Sequence, residues 1–313
     1  MLTRRRIVVA KIESVEGTAE TLANADGGIL AIDPKVDVDI KMHARNPVMA
    51  TLSRLADVAG AQLARLTFKV EIKGPGAAYS ASVVPALAKY LRACGFAETL
   101  DVTPGSEKAT YKPASTGAPC LTIGCYEDGV IKQLVGARGN VKFTGKAGEP
   151  VFAEFDFLGV WGGLTDGAML TPTYESTIPP VFLSASFTIA AYSAILAGID
   201  IDMANTLHLR NDVNKPAGYL STVITNRDPN GKFDPEMALV ATHDWYGRWK
   251  GGTTGALSLG NIGSTQYNRY KITAPKVVYR KVSDAEREGV VVADTAFQLA
   301  MNTGDDEVVL EFS

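Results

Sequence analysis

The residue types able to do chemistry are few in this chain and poorly spaced for it. Among 313 residues there are three histidines, His43, His208 and His243. None stands with another His or a Glu at the spacing that lets two ligands share a helix face. His243-Asp244 could form an acid–base pair, but adjacent residues on a helix point in different directions. Surface or interface histidines are the expectation. Cys120 and Cys125 lie five apart with Cys94 upstream and no fourth soft ligand near, whereas zinc sites want Cys-x2–4-Cys plus a second pair. Buried structural thiols fit better. An odd cysteine count in a long chain argues against a disulfide scaffold and for a reducing compartment. G-x-S-x-G, the Walker lysine and a helix-opening G-x-G-x-x-G are all missing. Asp37/Asp39 and Asp200/Asp202 are carboxylates two apart, hence on one strand face. A glycosidase pair needs one acid raised by an apolar pocket, and these flanks describe a solvated face instead. The chain is therefore expected not to be an enzyme, and to need no cofactor or metal.

Composition narrows the remaining classes. The chain is 46% hydrophobic and 21% charged, with a formal net charge of −3. That suits a folded protein and supplies no overall field to draw nucleic acid or an anionic membrane. No apolar run approaches the roughly 20 residues that span a bilayer. The run Arg4-Arg5-Arg6 precedes only four apolar residues, Ile7 to Ala10, too few for an export signal, and reads as a solvated terminus. The length favours two domains.

Period-two alternation must position whatever the chain presents. Val36, Val38, Ile40 and Met42 alternate with Asp37, Asp39 and Lys41; Leu66, Phe68, Val70 and Ile72 alternate with Thr67, Lys69, Glu71 and Lys73. Each is the pattern of a half-buried strand. Together they predict a long antiparallel hairpin whose connection, His43 to Arg65, is an extended tip; loops of that length are usually functional. A helix follows, with Val83, Leu87, Tyr90, Leu91 and Cys94 at helical spacing, Ser82 as cap and Gly95 after the end. Leu121–Val135 and Val141–Phe157 read as further hairpins. After a Gly- and Pro-rich linker the order restarts. Gly198–Met203 matches the first Asp-alternating strand and continues as a counterpart hairpin to Thr225. Asp234-Pro235-Glu236 has the N-cap, N1 and first-turn residues of a helix start, running towards Trp249. Later hairpins and a final strand, Val308–Phe312, complete a repeat of about 150 residues, the usual size of one domain. The expected fold class is mainly β (α+β). It comprises two tandem sandwich or open-barrel domains, residues 1–165 and 181–313 around a 166–180 linker. Each carries one flanking helix and a long hairpin.

The blocks Lys11-Ile-Glu-Ser-Val-Glu-Gly17-Thr-Ala, Ile32-Asp-Pro and Arg65–Gly74, with Thr225–Glu236 later, together resemble the tail tube (major tail) proteins of long-tailed bacteriophages. The resemblance spans most of the chain through diffuse blocks. It implies a β-sandwich-like fold with a flanking helix, whose hairpins join around a ring into an inner β-barrel. Rings would stack into a tube through which DNA leaves the capsid without specific binding. Two such domains in one chain would let three chains imitate a sixfold ring, although a hexamer with one tube and one decorating domain fits too. Expected partners are further copies of the chain and the tape measure, terminator and distal tail proteins, with no membrane. The expected location is the virion tail, assembled in the host cytoplasm. Asp37, Asp39, Lys69, Glu71, Asp200 and Asp202 are the expected lumen-facing residues. Asn46, Pro47, Arg54, Leu55, Asp57 and Val58 are expected in an arm contacting the adjacent ring. The alternatives are a single-ring terminator or baseplate component of the same fold, or a carbohydrate-active or carbohydrate-binding β protein.

Overall fold

Strands dominate where the chain alternates, and among the described residues α-helix is confined to two short segments. The computed structural model describes residue 2 and residues 4–313. The first half contains β1 (Arg6–Ile12), β2 (Ile32–His43), β3 (Val58–Glu71), α1 (Ala88–Ala93), β4 (Phe96–Asp101), β5 (Lys108–Pro113), β6 (Leu121–Glu127), β7 (Val130–Lys146) and β8 (Phe152–Asp166). The second contains β9 (Thr188–Ile189), β10 (Leu196–Asp202), β11 (Asn205–Asn211), β12 (Tyr219–Arg227), β13 (Asn230–Pro235), α2 (Trp245–Gly251), β14 (Gly255–Ile262), β15 (Tyr270–Arg287), β16 (Val290–Ala300) and β17 (Val309–Phe312). The fold is mainly β, and every named strand pair is antiparallel.

The two halves repeat one strand order. In the first it is β2-β3-β8-β7-β6-β1. In the second it is β10-β13-β16-β15-β14-β9. Each half adds its own hairpin. The first inserts β4–β5 after α1; the second inserts β11–β12 between β10 and β13. The halves share one sheet because β10 lies on the later part of β7, and because β17 bridges β15 and β5.

Each helix covers its own aromatic cluster. In the first half, Tyr90 of α1 packs on Phe68, Phe155 and Phe157, with ring centroids 5.4–5.9 Å apart. In the second, Trp245 of α2 packs on Phe233 and Tyr279 at 6.0 and 5.6 Å. Helices this short would not hold in isolation; burial of one aromatic face holds them. Gly231 lies between β10 and β16 where a Cβ would stand 2.3 Å from the Asp200 carbonyl oxygen and 2.5 Å from the Phe297 ring. Only glycine lets the strands close there.

Several sequence expectations are corrected. The hairpin tip is 44–57 rather than 43–65, because β3 begins at Val58 opposite His43. Asp234 opens no helix: Phe233 is a core strand residue, and the Asp234 carboxylate accepts the N–H groups of Ala197 and Gly198 at 3.1 and 2.9 Å. The helix starts ten residues later, where Asp244 caps it by accepting the Gly247 N–H at 2.7 Å, and it ends at left-handed Gly252. Ser82 is no cap either; Ser80 and Val83 close a turn ahead of α1, and Gly95 follows its end with φ of 88°. The strand facing β10 is β13, so the expected counterpart to Thr225 contains a strand plus an excursion, β11–β12. The linker also starts later, since β8 continues to Asp166.

Candidate functional site

Residues directly opposite each other on neighbouring strands share a sheet face, so the register decides what the polar residues build. One row runs Lys69, Glu154, Lys142, Asp202, Asn230. The next runs Glu71, Phe152, Thr144, Asp200, Lys232. Asp37 is opposite Arg65, two positions along the same face. All six residues singled out from the sequence, Asp37, Asp39, Lys69, Glu71, Asp200 and Asp202, therefore lie on one face of one sheet, away from the aromatic clusters.

Three of the six, Asp37, Lys69 and Asp200, meet partners of opposite sign. Lys35 meets Asp37 at 2.9 Å, and Lys69 meets Glu154 at 2.7 Å. Asp200 stands between Lys142 at 3.2 Å and Lys232 at 3.6 Å. Asp202 accepts from the Asn140 side chain at 2.7 Å and the Ala204 N–H at 2.8 Å. Arg65 forks onto both Asp156 oxygens. The Glu154 carboxylate raises the Lys69 ammonium above its usual range, and Asp156 does the same for Arg65. Each exposed pair contributes little to stability. Collectively they set acids and bases side by side across the sheet. Lys142, Glu154, Asp156 and Lys232 escaped the sequence reading, although they occupy the polar positions of Val141–Thr144 and Val151–Phe157 and of β13.

The second feature is a pair of open edges. Among the described residues, β2 has a strand on one side only, and β15 has none beyond Val277 on the side where β14 pairs. Val38, Ile40 and Met42 on β2 are 42%, 40% and 55% exposed, whereas Ile201 and Met203 of β10 and its continuation are each 1% exposed. The difference is location: β10 is covered by the other half. The tip carries Asn46, Pro47, Arg54 and Asp57, all exposed, and half-buried Leu55; Val58 belongs to β3. Side-chain hydrogen bonding in the tip is local, between Thr51 and Ser53.

Other polar groups serve the fold. Glu13 is buried and accepts from Gly17 N–H, Gly136 N–H and the Thr122 hydroxyl; burial raises its carboxyl while these bonds oppose. Glu16 accepts from Ser221 at 2.6 Å and pairs with Arg138 and Arg210, fastening β11–β12 to the first half. A cavity of about 490 Å³ beside it is lined by Arg138, Arg210 and Arg227, but their charges are met by Glu16, Asp305 and Glu307. The surface reading of His243 is corrected: it is buried between Tyr192 and Trp245, its Nε2 is 3.0 Å from the Tyr279 hydroxyl, and burial lowers it to about 4. His43 and His208 are exposed. Cys94, Cys120 and Cys125 are free and buried; burial raises the latter two to about 12 and about 11. Among the described residues no three His, Cys, Asp or Glu gather as a metal cluster, and no helix is long and apolar enough to cross a membrane. No protein-family model matches the chain, and no curated protein matches it significantly.

Proposed function

We propose that the chain is a tail tube subunit of a long-tailed bacteriophage. Three copies close into a ring of pseudo-sixfold symmetry, and rings stack into a tube for DNA. The observation that carries this reading is the repeated strand order, in which the hairpin strand of one half lies on the sheet edge of the other. A chain built this way hands an edge from repeat to repeat and remains open at both ends. Contacts of that head-to-tail kind close into rings or continue as filaments. Closure also removes edges that would otherwise recruit wrong partners.

The mixed-sign sheet face supports the same reading. A lumen lined by Asp37, Asp39, Lys69, Glu71, Asp200 and Asp202 presents carboxylates beside each cation, so phosphates find no continuous basic track to bind. The 44–57 tip supplies an arm to the adjacent ring, and the tape measure, terminator and distal tail proteins meet the tube in the virion.

Negative-stain microscopy of the purified chain tests this. Tubes or stacked rings are expected. Single rings that never stack would favour a terminator or baseplate ring of the same fold, and monomers at all concentrations would refute ring assembly.

A further inference from the structure

We propose that β2 of one copy adds antiparallel to the open edge of β15 in the next copy. Lys35 stands opposite Ala285, Val36 opposite Asp284 and Asp37 opposite Ser283. The proposal rests on the ring-forming reading above and adds which strands meet and in what register.

The register comes from matching the two halves. Phe68 is opposite Phe155, which is opposite Val141. Phe233 is opposite Thr295, which is opposite Val282. Phe68 lies against Tyr90 of α1 and Phe233 against Trp245 of α2, with centroids 5.4 and 6.0 Å apart. The same backbone bond follows four residues later in each half: Ile72 N–H to the Val151 carbonyl and Met237 N–H to the Val291 carbonyl, both 2.9 Å. Lys35, opposite Thr67, thereby takes the place of Asp200, opposite Lys232. Ala285, opposite Val292, takes the place of Thr144, opposite Phe152. Asp200 and Thr144 face each other where β10 lies on β7. The junction inside the chain thus specifies the junction between chains.

One hydrogen-bonded pair of the internal junction maps onto two side chains of opposite charge. Asn140 donates to Asp202 across the internal junction at 2.7 Å. Lys281 and Asp37 occupy those two places, so a hydrogen bond is replaced by an ion pair. Met203 N–H donates to the Val141 carbonyl at 3.1 Å, and Val38 and Val282 occupy those places. Pairing would cover Val38, which is 42% exposed, as Met203 in the equivalent place is already covered at 1%. Strand addition draws its affinity from main-chain hydrogen bonds and its specificity from alternate side chains. Here the side chains select a second copy of this chain.

Engineered disulfides test the register, because a bridge needs Cα atoms within about 7 Å. The native cysteines are buried and do not compete. In the full chain, Asp37→Cys with Ser283→Cys is treated with a mild oxidant and compared with Asp37→Cys with Arg287→Cys, four residues out of register. The expected result is a ladder of covalent oligomers from the first pair, at about tenfold higher yield than from the second. Rings or tubes that form by microscopy with no such preference would overturn this interface while leaving the tube reading standing. A chain that neither assembles nor cross-links would overturn both. As a second variant, Val38→Asp places a charge on a residue exposed in the free chain, so it should fold with an unchanged circular dichroism spectrum and fail to assemble. Normal assembly by Val38→Asp would also overturn the proposal.

Discussion

Glu175 shows what one buried group contributes to the fold. It lies in the irregular strap between β8 and β9, where the Lys73 ammonium donates to the carbonyls of Glu175 and Thr177 at 3.1 and 2.9 Å. Its carboxylate accepts the Ala86 N–H at 2.9 Å, yet burial outweighs this and raises the group to about 7. A carboxyl raised on folding makes the folded chain bind more protons than the unfolded one between about 4.5 and about 7. Its contribution therefore favours the folded state at low pH and is lost as pH rises through that window. Glu175→Gln keeps an acceptor for Ala86 and removes the charge. The variant should match the wild type near pH 4 and exceed it by up to roughly 3 kcal/mol at pH 8. Urea unfolding of both chains at the two pH values checks this, and the opposite titration of His243 cancels in the difference. The role of His243 was not legible from its neighbours in sequence, because Tyr192 and Tyr279 reach it only through the fold.

At the scale of elements, the first hairpin has two parts that behave differently. Its base is held by β8 and by α1 above Phe68, while its tip is mostly exposed and, among the described residues, its side-chain hydrogen bonds run between Thr51 and Ser53. Replacing residues 44–57 by Asn-Gly would join His43 to Val58, already opposite each other, through a two-residue turn. Stability of the free chain should change by less than about 1 kcal/mol, since little is buried there. Stacking of rings should stop, as read by sedimentation and microscopy; normal tubes would remove the arm from the mechanism. The alternation of β2 and β3 was plain in sequence, and so was their hairpin. The end of the tip was not, because Val58 to Arg65 is rich in alanine and glycine and takes its strand conformation from pairing with β2 and β8. The Asp234-Pro235 start failed for a related reason. Its local capping chemistry lost to the burial of Phe233 and to the two N–H groups of β10 that Asp234 satisfies.

For the whole molecule, two repeats per chain set the expected stoichiometry. Three chains of 33.2 kDa give a closed species of about 100 kDa, and six would give about 200 kDa. Native mass spectrometry of the smallest ring distinguishes them, and the hexamer mass would mean that the halves do not alternate around one lumen. The sequence by itself determined that the chain is mainly β, that Asp37, Asp39, Lys69, Glu71, Asp200 and Asp202 occupy polar strand faces, and that the order of elements restarts near residue 198. Period-two alternation is local and records which side of each strand meets water. Only the tertiary structure decided that those six residues share one face, that β10 rather than a hairpin turn joins the halves, and that β2 and β15 keep open edges. Strand neighbours depend on register between segments far apart in the chain, and nothing in a single strand's pattern names its partner.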